Sequence, residues 1–517
     1  MRHSIHLGGF DWAILIAYVA IISGIGFWAA RRVKKNTDDY FLAGRSIPSF
    51  VTWASFVATC LSAVTFIGVP AEGYSSDFRY LLSSPGDIAA TFFIAYAFLP
   101  YFQKLRVTSI YEAIGLRFGS SVRTLSSAYF LITRLLASTV RVVAVAKVLE
   151  VVSGGGLSYS NSVLIIVGFI LVYATLGGGR AVAWTDTIQF FLLIGGALAA
   201  LFYLLTHIPG GVLTVIALGR HAVKPDGTVY NKFNFLNLLS PPNLGILALM
   251  MIWGFFNSSA AYGADQDMVQ RLLACRDEKG ARLSLMMWGL SSVPIVFVFL
   301  SIGASLYAYA HFHPGLISGM RDSDHIFPRF ILTAVPNGLR GLLLAAVFSA
   351  AMGSADSAMA SLSTSFIIDF YVPLINPDLS EENRLKASKI SFLIFGVFFI
   401  AFALLLRHLD NLLWLAFRIT AFTYGPLFGI FIVAILTGWR LKGRNLSILA
   451  ISTSFLTVVM AAIAWIETLH GAQGFWKNLH ETYWPLYVVF GSLLVVFGAY
   501  LFREKGAEFS FQPKTGL

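Results

Sequence analysis

Two aspartates stand where a membrane would penalise them. Asp186, in the stretch WTD, and Asp356, in SADS, lie inside long apolar segments. An ionisable side chain at the centre of a spanning helix costs on the order of 2.5–3.5 kcal/mol, so each needs a partner or a task. Carboxylates held close together could share one proton, because like charge raises one of the two pKa values. That arrangement would suit proton coupling. Asp186 could equally cap its helix start or pair with a cytoplasmic arginine. Arg134 and Arg141 are seven residues apart and so share a helix face. A planar guanidinium grips a carboxylate through two parallel bonds, which would suit an anionic solute. The same arginines could instead neutralise Asp186, Asp356 or Asp265. Internal pairing fits one of them and solute contact the other. Ser62 and Thr65, with Asn257, Ser258 and Tyr262, add hydroxyls, an amide and an aromatic wall. Such a set suits a polyol, a sugar or a small carboxylate. The plain alternatives are helix packing for Ser62 and Thr65 and an interfacial ring for Tyr262.

The elements that must position these residues are membrane helices. The chain has 517 residues, 57% hydrophobic and 12% charged, with mean hydropathy +0.74. A soluble domain carries about 25% charged residues, so lipid must be the main solvent. A net charge of +11 then reads as basic loops on the cytoplasmic side rather than as a nucleic-acid surface. Cys60 and Cys275 fall on different predicted helices, so no disulfide framework is legible. No phosphate-binding loop and no nucleophile–base motif stands out. The chain therefore reads as neither ATP-driven nor an enzyme, with no cofactor.

A helix needs about 20 mainly apolar residues to cross a bilayer. Thirteen segments qualify, at 10–31, 48–75, 84–104, 120–152, 158–176, 180–207, 241–270, 278–311, 336–371, 384–407, 411–438, 443–466 and 481–503. The basic cluster Arg31, Arg32, Lys34 and Lys35 follows the first segment, unlike the charge of a signal peptide. The positive-inside rule then puts the N-terminus outside and the C-terminus in the cytoplasm of an integral plasma-membrane protein. Two segments look interrupted. The second reads FVATCLSAVTFIGVPAEGY from Phe56, and the seventh WGFFNSSAAYGADQDMVQR from Trp253. Both carry small and hydroxyl residues at mid-membrane. Broken helices five apart point to a paired-repeat transporter with a midplane site, where freed carbonyls hold a cation such as sodium. The competing reading is close helix packing by Ser and Gly. Tyr424, Gly425 and Pro426 predict a further bend in the eleventh segment.

Four stretches also carry a resemblance to the sodium:solute symporter family. They are DDYFLAGRSIP (38–48), ATCLSAVTFIG (58–68), GGGRAVAWTDTIQ (177–189) and LLAAVFSAAMGSADSAMASLSTSFIIDFY (343–371), supported by DQDMVQRLLACRDEKGARLSL (265–285). The resemblance implies an all-α polytopic membrane protein with an inverted repeat of two five-helix halves (LeuT-like) and about 13 transmembrane helices. Residues 1–47 would be an extra helix and cytoplasmic loop, and 48–207 the first half. Residues 208–240 would form an extracellular loop, 241–438 the second half, and 439–517 two further helices and a tail. It also implies a sodium site of the carbonyls of Ala58, Leu61 and Ala351 with the hydroxyl of Ser354. Gly353 stands where the family has a second hydroxyl. A second cation site would take Asp186, Asp356 and Ser357. The implied activity is sodium-driven uptake of a small polar solute of the sugar, sialic acid or carboxylate class. A proton-coupled carrier using Asp186 and Asp356 is the nearest alternative, and a channel or solute sensor the next. The expected partners are the solute, sodium and lipid.

Overall fold

The computed structural model describes residues 7–32, 36–153, 156–224, 227–234, 241–318, 320, 322–408, 412–469 and 485–504. Lys34, Lys35 and Lys505, which bear on orientation, lie outside the described residues.

Apolar chain in lipid must satisfy its backbone locally, and the apolar segments are helical. Helix α1 spans Gly9–Ala30. The second segment is cut into α2, Ser49–Cys60, and α3, Ala63–Ser75, bent by 56° at the break. Then come α4, Ser84–Ala97, α5, Ser120–Val152, and α6, Tyr159–His207. Helices α7, Pro241–Gly263, and α8, Gln266–Ala274, are followed by α9, Glu278–Phe312. Helix α10 is Leu339–Phe366, continued by a wider π-helical stretch Ile367–Ile375. The chain continues with α11, Glu381–Leu405, α12, Leu412–Leu436, α13, Gly443–Leu469, and α14, Leu486–Leu501. Helix α10 is almost wholly buried, packed against α6, α5 and α1. Asp11 fixes one end of this packing, accepting from the backbone amides of Gly338 (2.7 Å) and Gly341 (2.9 Å).

Among the described residues ten helices are long and apolar enough to cross a membrane, or eleven if the α2–α3 pair is one crossing. The sequence predicts thirteen segments. Two of them, 158–176 and 180–207, run together in α6, whose 49 residues would span roughly 73 Å. A hydrocarbon core is about 30 Å thick. Gly178 interrupts α6 with φ 55° and ψ −151°, a conformation no helix contains. Helix α14 has 16 residues, short of a full crossing.

The predicted break in the seventh segment is corrected. Helix α7 is continuous through Asn257, Ser258 and Ser259, and the chain turns only after Gly263, where Asp265 caps α8. The small residues serve contact instead. A side chain on Gly254 would run into the Ser83 carbonyl, and one on Gly263 into Ile94. Close helix approach therefore explains a composition that resembles a break. At Tyr424–Pro426 α12 is not interrupted: it runs through Pro426, with Gly425 packed against Val488 and Gly491 of α14.

Outside the spanning helices, the segment 227–234 is fastened by Lys232. Its ammonium donates to the carbonyls of Tyr74 (2.6 Å), Ser76 (3.0 Å) and Gly73 (3.2 Å) at the end of α3. Burial drives its pKa from 10.5 down to about 7, against the pull of Asp77 and Glu72. A docked pKa below the free one means that proton uptake opposes docking. Docking is therefore strongest above about pH 10.5 and weakens as pH falls towards 7. Amide exchange over 229–233, corrected for intrinsic rates, should slow between pH 6 and pH 9. Lys232→Met should flatten that profile, and a flat profile in the unaltered chain would contradict the assignment.

Candidate functional site

The cut between α2 and α3 arises at two residues. Leu61 takes φ −81°, ψ 63°, and Ser62 is extended at φ −68°, ψ 170°. The last turn of α2 therefore has carbonyls without the amide partner that a continuing helix would bring. Ala58 and Leu61 belong to that turn. The Thr65 hydroxyl covers the Cys60 carbonyl at 3.3 Å. Thr59 donates to the Gly353 carbonyl at 3.4 Å, which ties the cut to α10. Next to it, Ser354 donates to the carbonyls of Ala350 (3.0 Å) and Ala351 (3.1 Å). Its hydroxyl proton is thereby committed while lone pairs remain. Ala58, Leu61, Ala351 and Ser354 are all buried, on the two elements that the sequence paired.

Asp186 lies on α6, fully buried. One carboxylate oxygen, Oδ2, accepts from Ser55 (2.6 Å) and Arg271 (3.3 Å). The other, Oδ1, has no hydrogen-bond partner among the described residues. It faces Gly353, 3.0 Å from where a Cβ would stand, and Gln189 Oε1 crowds the same spot. Gly353 is thus explained: a side chain there would collide with Gln189 and Asp186. Asp356 turns elsewhere, accepting from Tyr173 (2.7 Å) and from the Ser357 amide (2.6 Å). No hydrogen bond joins Asp186 to Asp356 among the described residues. Ser357 Oγ donates to the Ser354 carbonyl at 3.3 Å. The expected set of Asp186, Asp356 and Ser357 therefore lies in one buried region without forming a closed cluster.

A cavity of about 190 Å³ opens beside the cut. All seven residues expected to meet solute, namely Ser62, Thr65, Arg134, Arg141, Asn257, Ser258 and Tyr262, line it. Their tasks differ. Arg134 pairs with Asp265 at 2.6 Å and Asp267 at 3.4 Å, so its charge is spent internally. Asp267 also holds Arg271 at 2.8 Å, and Tyr424 donates to Asp265 at 2.6 Å. Arg141 makes no ion pair among the described residues, and its Nη1 is enclosed without a hydrogen-bond partner. Ser258 donates to Asp87 at 2.6 Å. Tyr262 is no interfacial ring: it is buried and accepts from Trp288 Nε1 at 2.8 Å. The rings of Trp253 and Phe417, 5.5 Å apart, wall the same cavity.

A cut helix fixed to a buried helix, beside a cavity with charged and hydroxyl residues in its lining, is the arrangement expected of a transporter, and comparison with known proteins decides which kind. The family model described as the sodium:solute symporter family matches residues 40–441. The chain belongs to the sodium:solute symporter family. Its activity is accordingly sodium-coupled uptake of a small solute, with sodium as the coupling ion. The symporter is 28% identical to a sodium/sialic acid symporter of Proteus mirabilis, over 88% of this chain and 90% of that one. It is 30% identical to the sodium-coupled monocarboxylate transporter 2 of Homo sapiens, over 91% and 77%. A solved sodium-coupled sialic acid symporter, substrate-bound and outward-open, superposes with a TM-score of 0.79 at 27% identity, covering 96% of this chain and 99% of that one. The symporter is thus an integral membrane transporter, as the family's members are.

Two site residues escape the sequence reading. Asp87 sits in the first turn of α4, after Ser-Pro-Gly, where an acid looks like an ordinary helix start. The rule applied to Asp186, that an acid among apolar residues needs a task, would have found it. Gln189 is one turn beyond Asp186, and only the packing against Gly353 singles it out.

Proposed function

We propose that this symporter carries solutes bearing a carboxylate, and that Arg141 receives that group. The observation behind this reading is the division of labour between the two arginines: Arg134 is neutralised by two aspartates, and Arg141, in the same cavity, makes no ion pair among the described residues. The relatives named for sialic acid and monocarboxylates handle carboxylic acids, which supports it. Arg141→Gln should weaken competition by carboxylate solutes about 10- to 100-fold, the range of a charge-assisted bond. The matching neutral amides should compete equally in both proteins. Equal losses for acids and amides would defeat the assignment.

The proposed first sodium site takes the carbonyls of Ala58, Leu61 and Ala351 with Ser354 Oγ. The second centres on Asp186 Oδ1, with Ser357 and Asp356 nearby. Asp186 Oδ1 supports it, a buried carboxylate oxygen with no hydrogen-bond partner among the described residues. Asp186 and Asp356 accept from different partners and share no hydrogen bond among the described residues, which favours a cation over a directly shared proton. Thirteen crossings follow if α6 is divided at Gly178 and the α2–α3 pair and α14 each count once. They are arranged as two inverted five-helix halves with the N-terminus outside, the C-terminus in the cytoplasm, and transport rather than catalysis as the task. Sodium favours the outward-open state by binding it better, and solute then binds against the closed end of the cut.

A further inference from the structure

We infer that Asp87 reads a hydrogen-bond-donating group on the solute, so that the cargo is a hydroxylated or aminated acid rather than an unsubstituted one. The inference rests on the placement of the carboxylate at Arg141. Asp87 lines the same cavity as Arg141. It has no cationic partner among the described residues, and its bonds come only from two hydroxyls, Ser258 at 2.6 Å and Ser83 at 3.3 Å. These hydroxyls sit on different elements, α7 and the turn before α4, and aim the carboxylate from two sides. A carboxylate oxygen accepts up to two hydrogen bonds, so each Asp87 oxygen keeps capacity towards the cavity. Ser258 is spent on orienting Asp87 and is a positioning residue. Val64, Ala137, Trp253, Val296 and Phe417 give the cavity apolar and aromatic walls, beside the hydroxyls of Ser62, Thr65 and Thr420 and the amide of Asn257, and Asp87 is its one lining carboxylate besides the ion-paired cluster among the described residues. An aliphatic tail against Asp87 would strip water from it and return nothing, a penalty that rejects unsubstituted acids. A hydroxyl or an ammonium restores the lost bond, and an ammonium also balances the charge.

Three acids of equal chain length separate these cases: hexanoate, gluconate and 6-aminohexanoate. Binding is read as sodium-dependent thermal stabilisation of the full chain in detergent. The expected result is binding of gluconate or 6-aminohexanoate roughly 10- to 100-fold tighter than hexanoate. The tighter of the two tells hydroxyl from ammonium recognition. Asp87→Asn, of equal size, should collapse that preference, with the ammonium arm losing more because the amide still accepts from a hydroxyl. Ser258→Ala should shrink it partly, which keeps the test informative if the first variant folds poorly. Hexanoate binding as tightly as the others, or an unchanged ranking in both variants, overturns the role of Asp87 and leaves Arg141 standing. Failure of all three acids on the unaltered protein overturns the Arg141 reading, and this inference with it.

Discussion

Replacing Arg134 by methionine is expected to destabilise the protein by about 3–5 kcal/mol, the cost of leaving buried carboxylates without their cation. Asp265 and Asp267 are both fully buried, and Arg134 bonds to each. The melting midpoint in detergent should fall by roughly 3–5 °C if the chain melts as one unit. The loss should be larger than for Arg141→Gln, which breaks no ion pair. Equal midpoints for the two variants would mean that the pairing carries no stability. Asp265 caps α8 through its bond to the Asp267 amide, and Asp267 also holds Arg271. The damage should therefore spread to the start of α8, as faster amide exchange there.

Asp186→Asn is expected to lower sodium-driven solute accumulation by about 10- to 100-fold, the range for losing one charge-assisted interaction, and to raise the sodium concentration for half-maximal uptake. The change keeps the size of the side chain and an acceptor for Ser55, yet removes the charge at Asp186 Oδ1, which has no hydrogen-bond partner among the described residues. Arg271 keeps Asp267 at 2.8 Å, so folding should survive and the defect should lie in coupling. Sodium titrations of uptake at fixed solute measure it. A variant that folds and transports with the original sodium dependence would remove Asp186 from the ion site. Gly353→Ala offers a gentler probe, because the added methyl pushes on both Gln189 and Asp186.

How much of this was legible in the sequence differs from residue to residue. The bundle was, since apolar runs of this length have no other stable form in lipid. The break at Leu61–Ser62 was legible as well, yet the same composition misled at Asn257–Gly263. Ser and Gly serve a freed backbone and a close helix contact equally well. What lies opposite decides, and at α7 that is the Ser83 carbonyl and Ile94, well separated in sequence from Gly254 and Gly263. The fate of the two arginines was open for the same reason. Arg134 and Arg141 look alike on one helix face, and their difference comes from Asp265, 131 positions downstream of Arg134. Asp87 was hidden by a helix-start pattern that is genuine, since the residue does lie in the first turn of α4.

On the proposed reading, sodium held where α2 is cut from α3 drives solute into the cell. Purified protein in sealed proteoliposomes, given an inward sodium gradient and a protonophore, tests it most directly with a labelled carboxylate solute. Accumulation above the outside concentration that survives the protonophore, vanishes when potassium replaces sodium, and collapses in Ser354→Ala is the predicted result. Uptake that stops at equilibrium, or that follows the proton gradient and ignores sodium, would contradict it.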